Sequence, residues 1–192
     1  MDAFSFAFSL FVIVLGLALT EVLGGMRKAL QARRKIHIGW LVPLLGLVVS
    51  IDLITFWTVA WNFRNLIPAH GLALIGGFVV TGIYYLVAGL VFPDEPAEWP
   101  DYDTYYFDHR RFVAGGVILC NLLAMSFVAA LGGNFANWLS IISMGIGLGL
   151  WALLLVARTP TQNIAIMIGL AVWNPLTMVP IAVPLWFPDW LY

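Results

Sequence analysis

A bundle of six membrane-spanning helices is the fold class that the sequence predicts, and three observations predict it. The 192 residues are 62% hydrophobic and only 10% charged, with a mean hydropathy of +0.95. An ordinary soluble domain carries charge on about a quarter of its residues. Six apolar segments recur along the chain, each close to the ~20 residues that a ~30 Å hydrocarbon core requires. Basic residues gather in the connections on one side of these segments and nearly vanish from the other. Backbone in lipid must satisfy its own hydrogen bonds, so the segments are helices; a barrel would need short alternating strands, which the sequence lacks. The expectation is an all-α, polytopic integral membrane protein, with residues 1–192 forming one transmembrane domain.

The predicted spans are approximately 4–26, 39–63, 71–92, 112–131, 138–157 and 164–187, with an acidic loop over 93–111. The first, FSFAFSLFVIVLGLALTEVLGGM, lacks the basic start of a secretory signal and meets its positive charges only afterwards. It reads as a retained span whose helix runs on through MRKALQARRKIH. Arg27, Lys28, Arg33, Arg34 and Lys35 are topogenic charges, and they are also candidates for anionic lipid headgroups at roughly 1 kcal/mol each. Glu21 sits ~9 Å inside that boundary at 1.5 Å per residue, with Gly24 and Gly25 at i+3 and i+4. Small residues there would admit a neighbouring helix. Arg110, Arg111 and Arg158 fall on the same side as the first basic cluster and leave Arg64 alone on the other. The positive-inside rule then puts both termini outside the cytoplasm, in a bacterial-type inner or plasma membrane.

The second span, GWLVPLLGLVVSIDLITFWTVAWNFR, carries one acid, Asp52, near its middle. A carboxyl there costs several kcal/mol unless it is paired, protonated or hydrated, so it marks a candidate functional group. Thr55 and Asn62 lie within about 80° of Asp52 on a helix, whereas Trp57 and Trp61 lie on the far side. The third span has Ala73, Gly77 and Thr81 as a small-residue seam, followed by Tyr84 and Tyr85, whose hydroxyls each need a partner.

The acidic loop holds Asp94, Glu95, Glu98, Asp101 and Asp103. Its second half reads as a short interfacial helix capped by Asp101 or Asp103, with Tyr102, Tyr105, Tyr106 and Phe107 among the headgroups. The loop either docks on the basic stretch or stays solvated with surface ion pairs. The fourth span offers Asn121. The fifth has Gly145-x-x-x-Gly149, a pattern for tight packing against more than one neighbour. The sixth contains Asn174 and three prolines, Pro175, Pro180 and Pro184, which kink or break it. Trp186, Trp190 and Tyr192 suit the outer interface.

Depth counted at ~1.5 Å per residue puts Asp52, Thr81, Asn121 and Asn174 in one layer. These four, with Asn62 and with Glu21 as an inner station, form a candidate pathway for a proton or cation. The competing expectation is a hydrogen-bonded core in which Asp52 is kept neutral. LALTEVLGG in the first span resembles SFVAALGG in the fourth, a hint of a 3+3 pseudo-repeat.

Catalysis finds no support. Cys120 is the only cysteine, and His37, His70 and His109 fall in three different loops, with no metal-ligand or nucleophile spacing. No cofactor, metal or nucleic acid is expected. The expected function is a small transporter or channel, linked to a proton or cation; the alternative is a non-catalytic accessory subunit of a larger membrane assembly. The expected partners are the bilayer, anionic headgroups, and other copies of the chain or a larger complex.

Overall fold

A computed structural model of the chain describes residues 3–34, 36–66, 71–132 and 138–186, with side chains described from 8 to 178 outside 138–140. The fold is an all-α bundle of six helices: α1 (Ala3–Ala32), α2 (Leu41–Asn62), α3 (Gly71–Gly89), α4 (Tyr102–Ala130), α5 (Trp138–Val156) and α6 (Pro160–Trp186), with one 3-10 turn at Pro96–Glu98. Helices α1 to α4 are long and apolar enough to cross a membrane, and α5 adds a shorter apolar stretch, Ile141–Val156. Lys35, His70, Trp190 and Tyr192 lie outside the described residues.

The helices are apolar around most of their circumference and bury only part of it. In α2, Leu41, Leu45, Val48 and Asp52 turn inward at helical spacing, while Leu47, Ile54, Trp57 and Trp61 stay exposed. That distribution is what a lipid-facing helix requires. Around the bundle the neighbours run α1, α3, α4, α5, α6, α2 and back to α1, and α2 also reaches α4 across the middle. Rings of Phe8 against Trp57 and Trp61 fix α1 and α2 as antiparallel. Helices α1 and α3 run parallel in close contact, because Gly77 leaves room for the ring of Phe11 where any Cβ would collide with it. The two halves of the chain pair differently: α1 lies on α3 while α2 passes to α6, whereas α4, α5 and α6 neighbour one another in chain order.

Three elements depart from the sequence expectation. The short helix expected in the second half of the acidic loop is present, but it is continuous with the fourth span, so that α4 begins at Tyr102 and not near 112. Its N-cap is Asp101, which accepts the Thr104 backbone N–H at 2.7 Å. Tyr102, Tyr105 and Tyr106 are buried and do not face the headgroups, because their i, i+3, i+4 spacing turns all three inward. The Tyr105 hydroxyl donates to the Leu90 carbonyl at 3.0 Å. Helix α6 starts at Pro160, where a missing N–H costs nothing. Just before it, Thr159 and Gln162 form a reciprocal capping box, the Gln162 N–H on Thr159 Oγ1 and the Thr159 N–H on Gln162 Oε1, each at 3.3 Å. The helix continues across Pro175 to Trp186. In α5, only Gly147 of the glycine cluster approaches a neighbour, Trp173, whereas Gly145 and Gly149 face open space.

The connections at the basic end are joined to one another by backbone and aromatic contacts more than by charge. The Tyr102 N–H donates to the His37 carbonyl at 3.2 Å. Gly39, at φ +62°, packs its α-carbon where a Cβ would strike the Asp103 carboxylate, so only glycine serves there. Trp99 and His109 both pack on Tyr105, with ring centroids 4.9 and 4.0 Å away. Lys28 and Asp94 approach to 3.6 Å on the exposed surface, a pair of little energetic weight.

Replacing Asp101 by alanine removes the α4 cap and costs about 1 kcal/mol, read as a lower thermal midpoint in detergent. The Thr104 N–H holds the Asp101 carboxyl below the ordinary carboxylate value. The cap therefore contributes fully above the unfolded-state value of about 3.9 and is lost as pH falls through the lower folded value. Wild-type and variant midpoints converge in strong acid.

Candidate functional site

Asp52 shares the inward stripe of α2 with Leu45 and Val48, and it is 6% exposed. Its partners come from two other helices. The Tyr84 hydroxyl of α3 donates to Asp52 Oδ2 at 2.5 Å. The Asn121 amide of α4 lies 3.4 Å from the same oxygen, 3.2 Å from the Tyr84 hydroxyl and 3.0 Å from the Val117 carbonyl. An amide has two N–H bonds to give, so the longest of these three contacts, the one to Asp52, is the weakest. Both contacts fall on Oδ2, and Oδ1 accepts no hydrogen bond among the described residues. The Trp151 indole N–H of α5 is directed at the carboxyl, yet it has no partner within hydrogen-bond distance. Phe56 packs on the Tyr84 ring, with centroids 5.1 Å apart.

Asp52 forms part of the floor of a cavity of about 420 Å³. The walls rise from that floor through Thr55, Phe56 and Phe63 of α2, Gly76 and Gly77 of α3, Phe127 of α4, Ser143 of α5 and Thr177 of α6. These positions run toward the end of the bundle where α2 finishes and α3 begins, opposite the basic residues. Thr81, Asn121 and Asn174 border the same cavity. Below the floor the interior is filled by buried side chains, including Leu45, Val48, Val117 and Leu154.

The sequence-nominated residues therefore divide. Asp52 and Asn121 are hydrogen-bonded to one another and to Tyr84. Thr81 lines the cavity, but its hydroxyl donates to the Gly77 and Phe78 carbonyls of its own helix, at 2.9 and 3.3 Å. Asn174 is 7% exposed, and its buried Nδ2 has no partner. Asn62 is exposed at the end of α2, away from the cavity lining. Glu21 lies on the far side of α1 in a shallow groove with Lys28 and Asp94, where the Tyr85 hydroxyl reaches it at 3.5 Å. Arg27, Lys28, Arg33 and Arg34 are exposed at the basic end.

Two participants are not assigned to the site by the sequence. Tyr84, read there only as a hydroxyl in need of a partner, is the stronger donor to Asp52, one helical turn inward from the nominated Thr81. Arg110, read only as a topogenic charge, is 5% exposed. Its guanidinium donates to the Leu154 carbonyl in the last turn of α5 and to Asn163 Oδ1 at 3.2 Å. Tyr106, one turn before it, donates to the same amide oxygen at 2.8 Å. A cation at a helix C-terminus meets both orphan carbonyls and the negative end of the helix dipole. This cluster fastens α4, α5 and α6 together at the basic end of the bundle.

Among the described residues no group of three or more His, Cys, Asp or Glu side chains is arranged to hold a metal ion. No protein-family model, curated protein or solved structure matches the chain.

Tyr84→Phe leaves Asp52 with only the long Asn121 contact and costs about 1–2 kcal/mol in detergent unfolding. Thr81→Val removes a hydroxyl bonded only to its own helix and costs less than about 1 kcal/mol. Equal losses would contradict these assignments.

Proposed function

We propose that the chain is a six-span membrane protein that carries a proton or cation across the bilayer, with Asp52 as the group that takes it up and releases it. One observation carries this reading: Asp52, the one inward-facing carboxyl among the described residues of the spans, borders a cavity whose lining residues run toward one end of the bundle. A buried carboxyl without a basic counter-ion is costly, and such groups in membrane helices serve ion and proton pathways by default. Tyr84 and Asn121 support the ionised form with hydrogen bonds, while Oδ1 stays available for a proton or a cation. Tight packing below the floor serves as the closed inner gate of this state.

In this reading the exposed Arg27, Lys28, Arg33 and Arg34 mark the cytoplasmic face, together with Arg111 and Arg158. The cavity then opens on the side of the termini. The basic helix end binds anionic headgroups at roughly 1 kcal/mol per charge. A second reading, an accessory subunit or self-associating chain, is favoured by the open faces of Gly145 and Gly149 on α5, where another helix could approach closely.

Reconstitution decides the first reading. Vesicles containing the wild type should dissipate an imposed proton or cation gradient at least ~10-fold faster than vesicles containing Asp52→Asn, which would correspond to ~1.4 kcal/mol or more of barrier. Flux that survives Asp52→Asn unchanged would remove the proposed mechanism.

A further inference from the structure

We infer that the cavity binds a compact organic monocation, whose ammonium pairs with Asp52 and displaces the proton held there. This rests on the reading of Asp52 as the ion-carrying group and names the class of ion. The volume of about 420 Å³ falls in the range of small-molecule sites, roughly 300–1,000 Å³.

The wall chemistry separates an organic cation from a metal ion. A hard cation needs six or so oxygen ligands. The hydroxyls of Thr55, Thr81 and Thr177, which also line the cavity, are each held against a backbone carbonyl of their own helix, at 2.9, 2.9 and 2.7 Å. Those hydroxyls keep acceptor lone pairs, but Asp52 is the only charged side chain among the described residues of a lining that is otherwise mostly apolar and aromatic, a poor cage for a hard ion. An ammonium requires far less, because its remaining surface is satisfied by aromatic faces. Phe11, Phe56, Phe63, Phe127, Trp151 and Trp173 provide six rings around the space. Two buried N–H groups at the same cavity, on Trp151 and Asn174, lack partners among the described residues, and they can donate to a ligand oxygen or a bridging water.

One carboxyl cannot hold a proton and an ammonium together at the same oxygen. Binding therefore takes the form Asp52–COOH plus cation giving the Asp52 carboxylate–cation pair plus a proton, which leaves through the cavity to water. The charge on the site is unchanged, so the desolvation cost of the ion pair is limited. The other titratable groups against Asp52 are Tyr84 of α3 and Cys120 of α4; α1, α5 and α6 bring none to it among the described residues. In water tyrosine and cysteine ionise only at about 10 and 8.5, so the proton released on binding at neutral pH or below is that of Asp52.

The test is calorimetric titration of the purified full chain in micelles with benzyltrimethylammonium, a permanent cation. Phenylmethanesulfonate, of similar shape and opposite charge, is the control. The cation should bind with release of up to one proton, read from two buffers of different ionisation heat. Its affinity should rise up to ~10-fold per pH unit while Asp52 is protonated. The sulfonate should not bind, and Asp52→Asn should lose the cation. Equal binding of the sulfonate, a pH-independent affinity, or undiminished binding by Asp52→Asn would each overturn the inference; the sulfonate comparison needs no variant to fold. Proton-releasing binding without Asp52-dependent flux in vesicles would uphold this site and overturn the transport reading. Flux without binding would do the reverse.

Discussion

A carboxyl group placed in an apolar interior must receive from the protein the hydrogen bonds it gives up with water, and Tyr84 supplies the shortest of them. That constraint determines the centre of the bundle. Asp52 is on α2, its donors are on α3 and α4, and the indole directed at it belongs to α5. The contact of α2 with α4 across the helix ring is the packing that this polar group demands. Interhelical hydrogen bonds in membrane proteins contribute only about 0.6 kcal/mol on average, so their role here is to specify one arrangement of helices more than to hold them together. Dispersion along the α1–α3 and α2–α6 contacts does the holding.

The bundle is asymmetric along its axis. At the basic end, connections are joined by the Tyr102–His37 backbone bond and the aromatic stack on Tyr105, and Arg110 fastens the end of α5. At the other end, the side chains lining the space between helices are aromatic or small and leave a cavity. A buried cation near one end and a buried acid at mid-depth are too far apart to pair, so each is bonded separately. Arg110 donates through one terminal nitrogen to the Leu154 and Asn163 oxygens while its buried Nε finds no partner among the described residues, and Asp52 accepts from a hydroxyl and an amide. Separate solvation leaves Asp52 without a permanent counter-ion, and this permits an exchangeable one.

Much of the architecture was legible from hydropathy and charge, because six apolar runs with alternating basic connections admit few other arrangements. The helical extension of α1 through Ala32 and the Asp101 cap also follow from local rules. What failed were inferences about direction. Counting residues gives depth along a helix and says little about which way a side chain bonds: Thr81 lines the same cavity as Asp52, but its hydroxyl folds back on its own helix. Tyr84, one turn away, does the bonding instead. Tyr102, Tyr105 and Tyr106 read as interfacial because tyrosine is amphipathic, yet all three are buried: the hydroxyls of Tyr105 and Tyr106 meet Leu90 O and Asn163, while that of Tyr102 is buried without a partner among the described residues. Glycine spacing on α5 signals close approach, but only Gly147 meets a neighbour in this chain. Arg110 was obscured because the same basic residues that set topology can also cap a helix.

The central claim is that Asp52 is reached from the end of the bundle opposite the basic residues, through the space between helices and not from lipid. The most direct measurement is thiol labelling from either side of sealed vesicles, in a Cys120→Ala background, with a charged, membrane-impermeant reagent. A cysteine replacing Thr55, one turn from Asp52 on the cavity wall, is predicted to react from the side of the termini. A cysteine replacing its neighbour Ile54, which faces outward at the same depth, is predicted to stay unreacted. Labelling of the Thr55 position only from the basic side, or from neither side, would contradict the account.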